Sequence, residues 1–275
     1  LGNEKNRYVV LISVKSKDIT NYVINENCKL IYDGVFSGCS SLIDINIPFG
    51  VTTIGEGLFE GCSGLTSVII PNSVISIGKC AFWACSSLTR ITIPDMVNFI
   101  GGGAFGLCSS LTSITIPDSV TSIGYFAFEN CSSLINITIP ASVTSIGGYA
   151  FLGCSSLTSI TISDGVTSIG EYAFSGCSSL TSITIPRSIT YIGEGVFKRC
   201  SSLTSIIIPS GVTLIGGYAF DGCTNLTSVT FENPNDWYVS EDITATSGTD
   251  LTLTTPEQNA TYLKSFYSNC YWKRR

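Results

Sequence analysis

Cysteine returns every 23 residues, at positions 39, 62, 85, 108, 131, 154, 177, 200 and 223, and no other feature constrains the fold of this chain so tightly. Counting each cysteine as position 1 of a unit, position 4 is leucine every time, from Leu42 to Leu226. Positions 16 and 17 read Ile-Gly in all eight complete units, from Ile54-Gly55 to Ile215-Gly216. Position 21 is phenylalanine from Phe59 to Phe220, with Phe36 one unit earlier. Self-similarity at a fixed period of about 20–50 residues marks a stacked-repeat chain. One such unit cannot bury its own faces, so neighbouring units must supply the missing contacts.

The unit reads C-S-S-L-T-S-I-T-I-P-x-S-V-T-S-I-G-x-Y-A-F-x-G. In L-T-S-I-T-I the apolar positions 7 and 9 alternate with hydroxyl positions 6 and 8, the period of a half-buried strand. Proline at position 10 has no N–H for a ladder, so it ends the strand and turns the chain. V-x-x-I returns two side chains to the core. Glycine at position 17 suits a tight turn with φ > 0, which β-branched residues resist. A-F-x-x-C sets small, large and small side chains against the next coil. The pattern predicts a leucine-rich-repeat solenoid, β-rich and right-handed, with one parallel strand per 23-residue coil and short turns or single helical turns opposite. Strands about 4.8 Å apart over some nine spacings make a body on the order of 45 Å long.

The ends depart from the repeat. Residues 1–38 are expected to form an N-terminal cap and a degenerate unit, in which Ile19, Ile24, Cys28, Ile31, Val35 and Phe36 keep core positions. The apolar run from Tyr8 to Val14 reads as a strand sealing the first coil; it is too short for a spanning helix, which needs about 20 residues. Residues 39–222 are eight full repeats. Residues 223–275 are a half repeat and a capping segment rich in aromatics, among them Trp237, Tyr238, Tyr262, Tyr267 and Trp272. The lack of an initiator methionine points to a processed or trimmed chain, with any export signal outside it.

The motif L-x-x-I-x-I-P-x-x-V-x-x-I-G-x-x-A-F-x-x-C resembles the BspA type of leucine-rich repeat, closely over residues 39–231 and loosely over 16–38. The resemblance implies display outside the cell or on its surface, and adhesion to host proteins or to other microbes. It implies no shared ligand. The closing N-P-x-x-W-Y and Y-W-K-R segments also resemble a tail found at the end of such proteins.

Composition narrows the chemistry. The chain has no histidine, which excludes Ser-His and Cys-His nucleophiles and histidine-bearing zinc sites. Acidic residues such as Asp95, Glu129 and Asp164 are scattered singly at turn positions, not paired. The net charge of −6 argues against a nucleic-acid partner, which needs a basic stripe. No enzyme activity, cofactor or membrane insertion is expected. The cysteine ladder reads as small buried apolar side chains with free thiols. The Ser and Thr rows at positions 6 and 8 read as solvent-facing strand residues. The row Phe126, Tyr149, Tyr172 and Tyr218 reads as stacking between coils before it reads as a sugar platform.

Candidate contact residues lie in the coils that break their own pattern. Coil 85–107 carries Arg90 and Phe99, with Trp83 just before it, and coil 177–199 carries Arg187 and Tyr191. Exposed aromatics and arginines are enriched where interfaces concentrate their binding energy. The expected function is a non-enzymatic cell-surface or secreted recognition and adhesion scaffold, binding a protein or glycoprotein on a host or microbial surface. The alternatives are a structural spacer and a carbohydrate-binding module of a larger surface protein.

Overall fold

The computed structural model describes residues 10–275. Tyr8 and Val9, the start of the sealing run, lie outside the described residues; Val10–Leu11 forms a strand parallel to Leu30–Ile31. Beyond it the chain winds as a three-sided β-solenoid of 23-residue coils. Alternation of residue type sets the first side: in the strand Ser113–Thr115, Ile114 points into the core while Ser113 and Thr115 face water. The same positions pair in parallel one coil on, Ser113 with Asn136 and Thr138 with Thr161.

A second parallel sheet forms the next side, which the one-strand expectation did not include. The two-residue strands Thr53–Ile54, Ser76–Ile77, Phe99–Ile100, Ser122–Ile123, Ser145–Ile146 and Ser168–Ile169 pair in coil order. A Ser-Ile dipeptide is too short to read as a strand by periodicity; the neighbouring coils make it one by supplying its partners.

The third side is a run of turns from position 18 round to position 5, without helix. Its ladder runs the opposite way to the sheets. Strand-side N–H groups donate to the preceding coil, as from Gly170 to the Ile146 carbonyl at 2.9 Å. Turn-side N–H groups donate to the following coil, as from Gly103 to Tyr125, Phe105 to Ala127 and Leu107 to Glu129, at 2.7 to 2.8 Å. Positive φ falls at positions 19 and 23, even where the residue is Tyr149, Tyr172, Leu107 or Arg199.

This corrects the reading of the glycine at position 17, which does not have positive φ. Its requirement is space. A Cβ on Gly101 would lie 2.6 Å from the carbonyl carbon of Gly78, and one on Gly147 would lie 2.6 Å from the Tyr125 nitrogen. Only hydrogen fits where successive backbones pass so closely.

Inside, Phe36 to Phe220 form one column of stacked rings. Beside it runs the cysteine column, and each thiol from Cys62 to Cys223 donates to the phenylalanine carbonyl 26 residues earlier in the chain, Cys108 to Phe82 and Cys131 to Phe105 at 3.1 Å. Cysteine is therefore used for size and for a donor, since a buried carbonyl left unpaired is costly. All twelve cysteines are free.

At the C-terminus the aromatic segment closes the core. Tyr271–Arg274 pairs antiparallel with Leu214–Ile215 and with Trp237–Ser240. Trp237 and Trp272 are buried around Phe231. The helix Pro256–Thr261, capped by the Thr255 side chain, packs across Ser228–Phe231, and Asn259 donates to the Val229 carbonyl at 3.0 Å. The Lys264 ammonium donates to the Leu226 carbonyl at 2.6 Å, where no further coil supplies an N–H.

Candidate recognition surface

The three sides separate the five residues singled out by sequence. Arg90 begins the first-sheet strand Arg90–Thr92 and is exposed, with no ion pair to any described residue. Phe99 and Tyr191 occupy the same register position of the second-side strands Phe99–Ile100 and Tyr191–Ile192, and both are exposed. Four coils part them, roughly 19 Å at strand spacing. Arg187 stands at the corner between the two sheets, its side chain 84% exposed and 3.5 Å from the Glu232 carboxylate. Trp83 sits on the turn side, its ring lying over Gly103 and Gly106 of the next coil. Four of the five thus share the two strand-bearing sides; Trp83 faces another way and packs on its neighbours.

Both irregular coils coincide with breaks in the first sheet. Pairing stops between Ser67–Ile69 and Arg90–Thr92, and again across coil 177–199, where residues 182–185 form no strand. At the second break the other sheet also parts, between Ser168–Ile169 and Tyr191–Ile192. The bonds Thr213 to Thr190 and Gly216 to Ile192 have no counterpart from Thr190 to Thr167 or Gly193 to Ile169. On the turn side the ladder holds: Gly176 donates to Lys198 at 2.7 Å and Phe174 to Val196 at 3.0 Å. The Phe174 and Phe197 rings are 5.9 Å apart, against 5.3 to 5.5 Å at every other Phe–Phe step. The coil is wedged open toward the sheets and closed at the turns.

Two core side chains are enlarged here. Ile189 stands where the other full coils have valine, and Val196 where six of them have alanine. Above the opening lies a groove of about 400 Å³ lined by residues of coil 177–199, by Ser205, Ile206 and Ile207 of the next coil, and by Asp164 and Glu232. Glu232 is fixed by the Ser210 N–H at 3.0 Å.

Sequence reasoning missed a second feature. Val23, Phe49 and Ile69 are 92%, 76% and 68% exposed on the N-terminal coils, and all three line one shallow groove. Their signal was available: Val23 and Ile69 hold position 8, where the middle coils place Thr92, Thr115, Thr138 and Thr161.

The aromatic row of the turn side is cladding. Phe126, Tyr149 and Tyr172 stack face to face at 4.9 and 5.1 Å, and the Tyr172 ring lies over Gly195. Tyr149 and Tyr172 are thus covered on both faces, while Tyr218, the last of the row, is 40% exposed with the Lys198 ammonium 4.7 Å over its ring. The Tyr172 hydroxyl donates to Glu194 at 2.6 Å, and that bond holds its ionisation well above the ordinary phenol range.

Burial pushes the thiols of Cys62, Cys154 and Cys223 up to about 12, so they are protonated at neutral pH and poor nucleophiles. Among the described residues no three Cys, Asp or Glu side chains converge as a metal site, and no helix is long and apolar enough to cross a membrane.

A stack of parallel strands at a 23-residue period, with leucine and phenylalanine in every coil, defines a leucine-rich-repeat protein. The sequence profile of the BspA type leucine rich repeat region matches residues 13–135 and 121–243, and the chain belongs to that family. Among solved structures it is similar to a leucine-rich repeat protein from Bacteroides ovatus, with 33% identity and a TM-score of 0.75 over 79% of this chain and 56% of that one. It is also similar to a leucine rich cell surface protein from Faecalibacterium prausnitzii, with 33% identity and a TM-score of 0.54 over 77% of this chain and 65% of that one. A leucine-rich repeat protein of T. pallidum shares 28% identity, with a TM-score of 0.58 over 62% of this chain and 82% of that one. The chain thus spans less than two thirds of the first two. No curated protein sequence shows a significant match.

Proposed function

We propose that this chain is a non-enzymatic recognition and adhesion scaffold, displayed outside the cell or at its surface, that binds a protein or glycoprotein partner through the two strand-bearing sides. The observation carrying this reading is the split between fixed and free positions. In every full coil positions 4, 16, 17 and 21 repeat, whereas positions 6, 11 and 15 run through Asp44, Arg90 and Asn136, through Phe49 and Arg187, and through Phe99 and Tyr191. The outward residues vary without cost to the core, which suits recognition of a large partner. The similarity to a protein described as a cell surface protein supports the location.

Contact falls on Arg90, Phe99, Arg187 and Tyr191, with Trp83 assigned to packing. The test is adhesion of the purified chain to a panel of microbial and epithelial surfaces, repeated after replacing those four residues by Ser or Thr. All four side chains are exposed, so folding is retained and adhesion drops. Adhesion that survives the four replacements overturns the site; a chain that adheres to no surface overturns the scaffold in favour of a spacer.

A further inference from the structure

We infer that the groove over the opened coil is a binding site for a neutral, hydroxyl-rich sugar, resting on the recognition reading and naming the glycan component of its partner. The floor carries the argument first. Ile183, Ile185 and Ile206 line the groove as buried residues, and among the described residues the main-chain N–H and C=O groups of Ile183 and Ile185 have no hydrogen-bond partner. Elsewhere in the sheet such N–H and C=O groups are taken up by the next coil. The ladder still holds at Thr181, bonded to Thr158 and Thr204 at 3.4 Å, but residues 182–185 have no ladder partner on either flank among the described residues, since Ser159–Ile162 pairs with Asn136–Ile139 and Ser205–Ile208 with Ser228–Phe231. Backbone groups at a partly buried floor require partners, from water or from a ligand.

The width of the opening selects among ligands. On the turn side Gly195 donates to Gly217 at 3.0 Å and Phe197 to Ala219 at 2.8 Å, which holds the coils at single-strand spacing. An added peptide strand needs about 4.8 Å on each side. None can enter. Single polar atoms can, and a sugar presents these as a row of hydroxyls.

The walls match. Among the described residues the hydroxyls of Ser182, Thr184 and Ser205 have no hydrogen-bond partner, and Ile207 offers an aliphatic surface, 57% exposed, for the C–H face of a ring. Asp164 and Glu232 are acceptors for sugar hydroxyls, and Arg187 is a donor. Two carboxylates against one guanidinium disfavour an anionic ligand, which is why the assignment is to a neutral sugar. The volume falls in the range of small-ligand sites, about 300–1,000 Å³.

The experiment titrates the full ¹⁵N-labelled chain with lactose, maltose and N,N′-diacetylchitobiose, following amide resonances. The expected result is saturable shifts at Ser182, Thr184, Ser205 and Ile207 with at least one of the three, at roughly millimolar affinity. Glu232→Gln and, on a different coil, Asp164→Asn each weaken that binding about tenfold, the effect of losing a charged acceptor. Thermal melting verifies that both variants fold. Absence of saturable shifts with all three sugars, or unchanged affinity in both variants, overturns the site. If the sugars fail while the chain still adheres to cells, this inference alone falls; if adhesion fails as well, the scaffold reading falls with it.

Discussion

Coils 108–176 and coil 177–199 are written in the same motif, yet the first block is zipped on three sides throughout, whereas coil 177–199 meets the preceding coil through its turns and the following one through its turns and second sheet. In the regular block every coil has valine at position 13 and alanine at position 20, and both sheets pair without interruption from Arg90–Thr92 and Thr53–Ile54 to Ser159–Ile162 and Ser168–Ile169. In coil 177–199 those positions are Ile189 and Val196, and the sheets part while the turns stay bonded. Interiors are packed densely enough that a single added methylene is felt. The comparison ties the parting of both sheets together at coil 177–199 to its two enlarged core side chains; the break of the first sheet alone between Ser67–Ile69 and Arg90–Thr92, where positions 13 and 20 are ordinary valine and alanine, has no such cause. A single enlargement is tolerated, since Leu58 stands at position 20 of coil 39–61 and both strands of that coil still pair with the next.

The largest expected effect tests what the two regions still share. The thiols of Cys154 and Cys223, one on each side of the opening, are both held near 12 by burial, whereas an unfolded thiol ionises near 9. Stability is therefore full below about pH 9 and falls as pH rises toward 12, by about 1.4 kcal/mol per unit for each such thiol. Urea unfolding at a series of alkaline pH values should show this loss. Thiolate absorbance should rise together in both regions, because the turn side is equally closed; early ionisation of Cys223 alone would break that equivalence.

Glycine at position 17 separates the regions directly. Gly101→Ala places a Cβ 2.6 Å from backbone and should cost about 2 kcal/mol by overpacking. At Gly193 the nearest contacts of a Cβ are 3.2 Å to Val196 and 3.3 Å to Glu171, so Gly193→Ala should cost less than about 1 kcal/mol. Equal destabilisation in chemical unfolding would mean that the coil is not open.

A smaller effect of opposite sign is expected at position 23. Arg199 has φ 59 there, where the regular block has Asn130, Gly153 and Gly176. Arg199→Gly should raise stability by about 1 kcal/mol by removing left-handed strain, visible as a higher melting temperature. Smallest in net stability is the double change Ile189→Val with Val196→Ala. It removes buried carbons and restores ladder bonds, so the two contributions offset to within about 1 kcal/mol. Its signature is hydrogen exchange: the amides of 182–185, Thr190 and Gly193 should become protected. If they exchange as fast as before, the enlarged side chains are not what opens the coil.

The sequence alone determined which side chains of a coil face inward, though not where its backbone turns left-handed, at positions 19 and 23. Alternation in L-T-S-I-T-I placed Ile114 inward and Thr115 outward, and the recurrence of Leu, Ile, Phe and Cys marked the buried columns. The short G-x-x-A-F-x-x-C span ruled out long helices, and the aromatic tail announced the C-terminal closure. Contacts between coils were decided only by the tertiary structure. The partners of Ser145–Ile146, the space denied at Gly101, the carbonyl that Cys108 meets and the opening at coil 177–199 all join atoms about one coil apart. Their geometry depends on how the coils stack, and a periodic pattern carries no term for that distance. The same reason explains the candidate residues: Arg90, Phe99, Arg187, Tyr191 and Trp83 stood out by type, but which of them share a side follows from where each falls around a coil whose three-sided cross-section exists only once it is stacked.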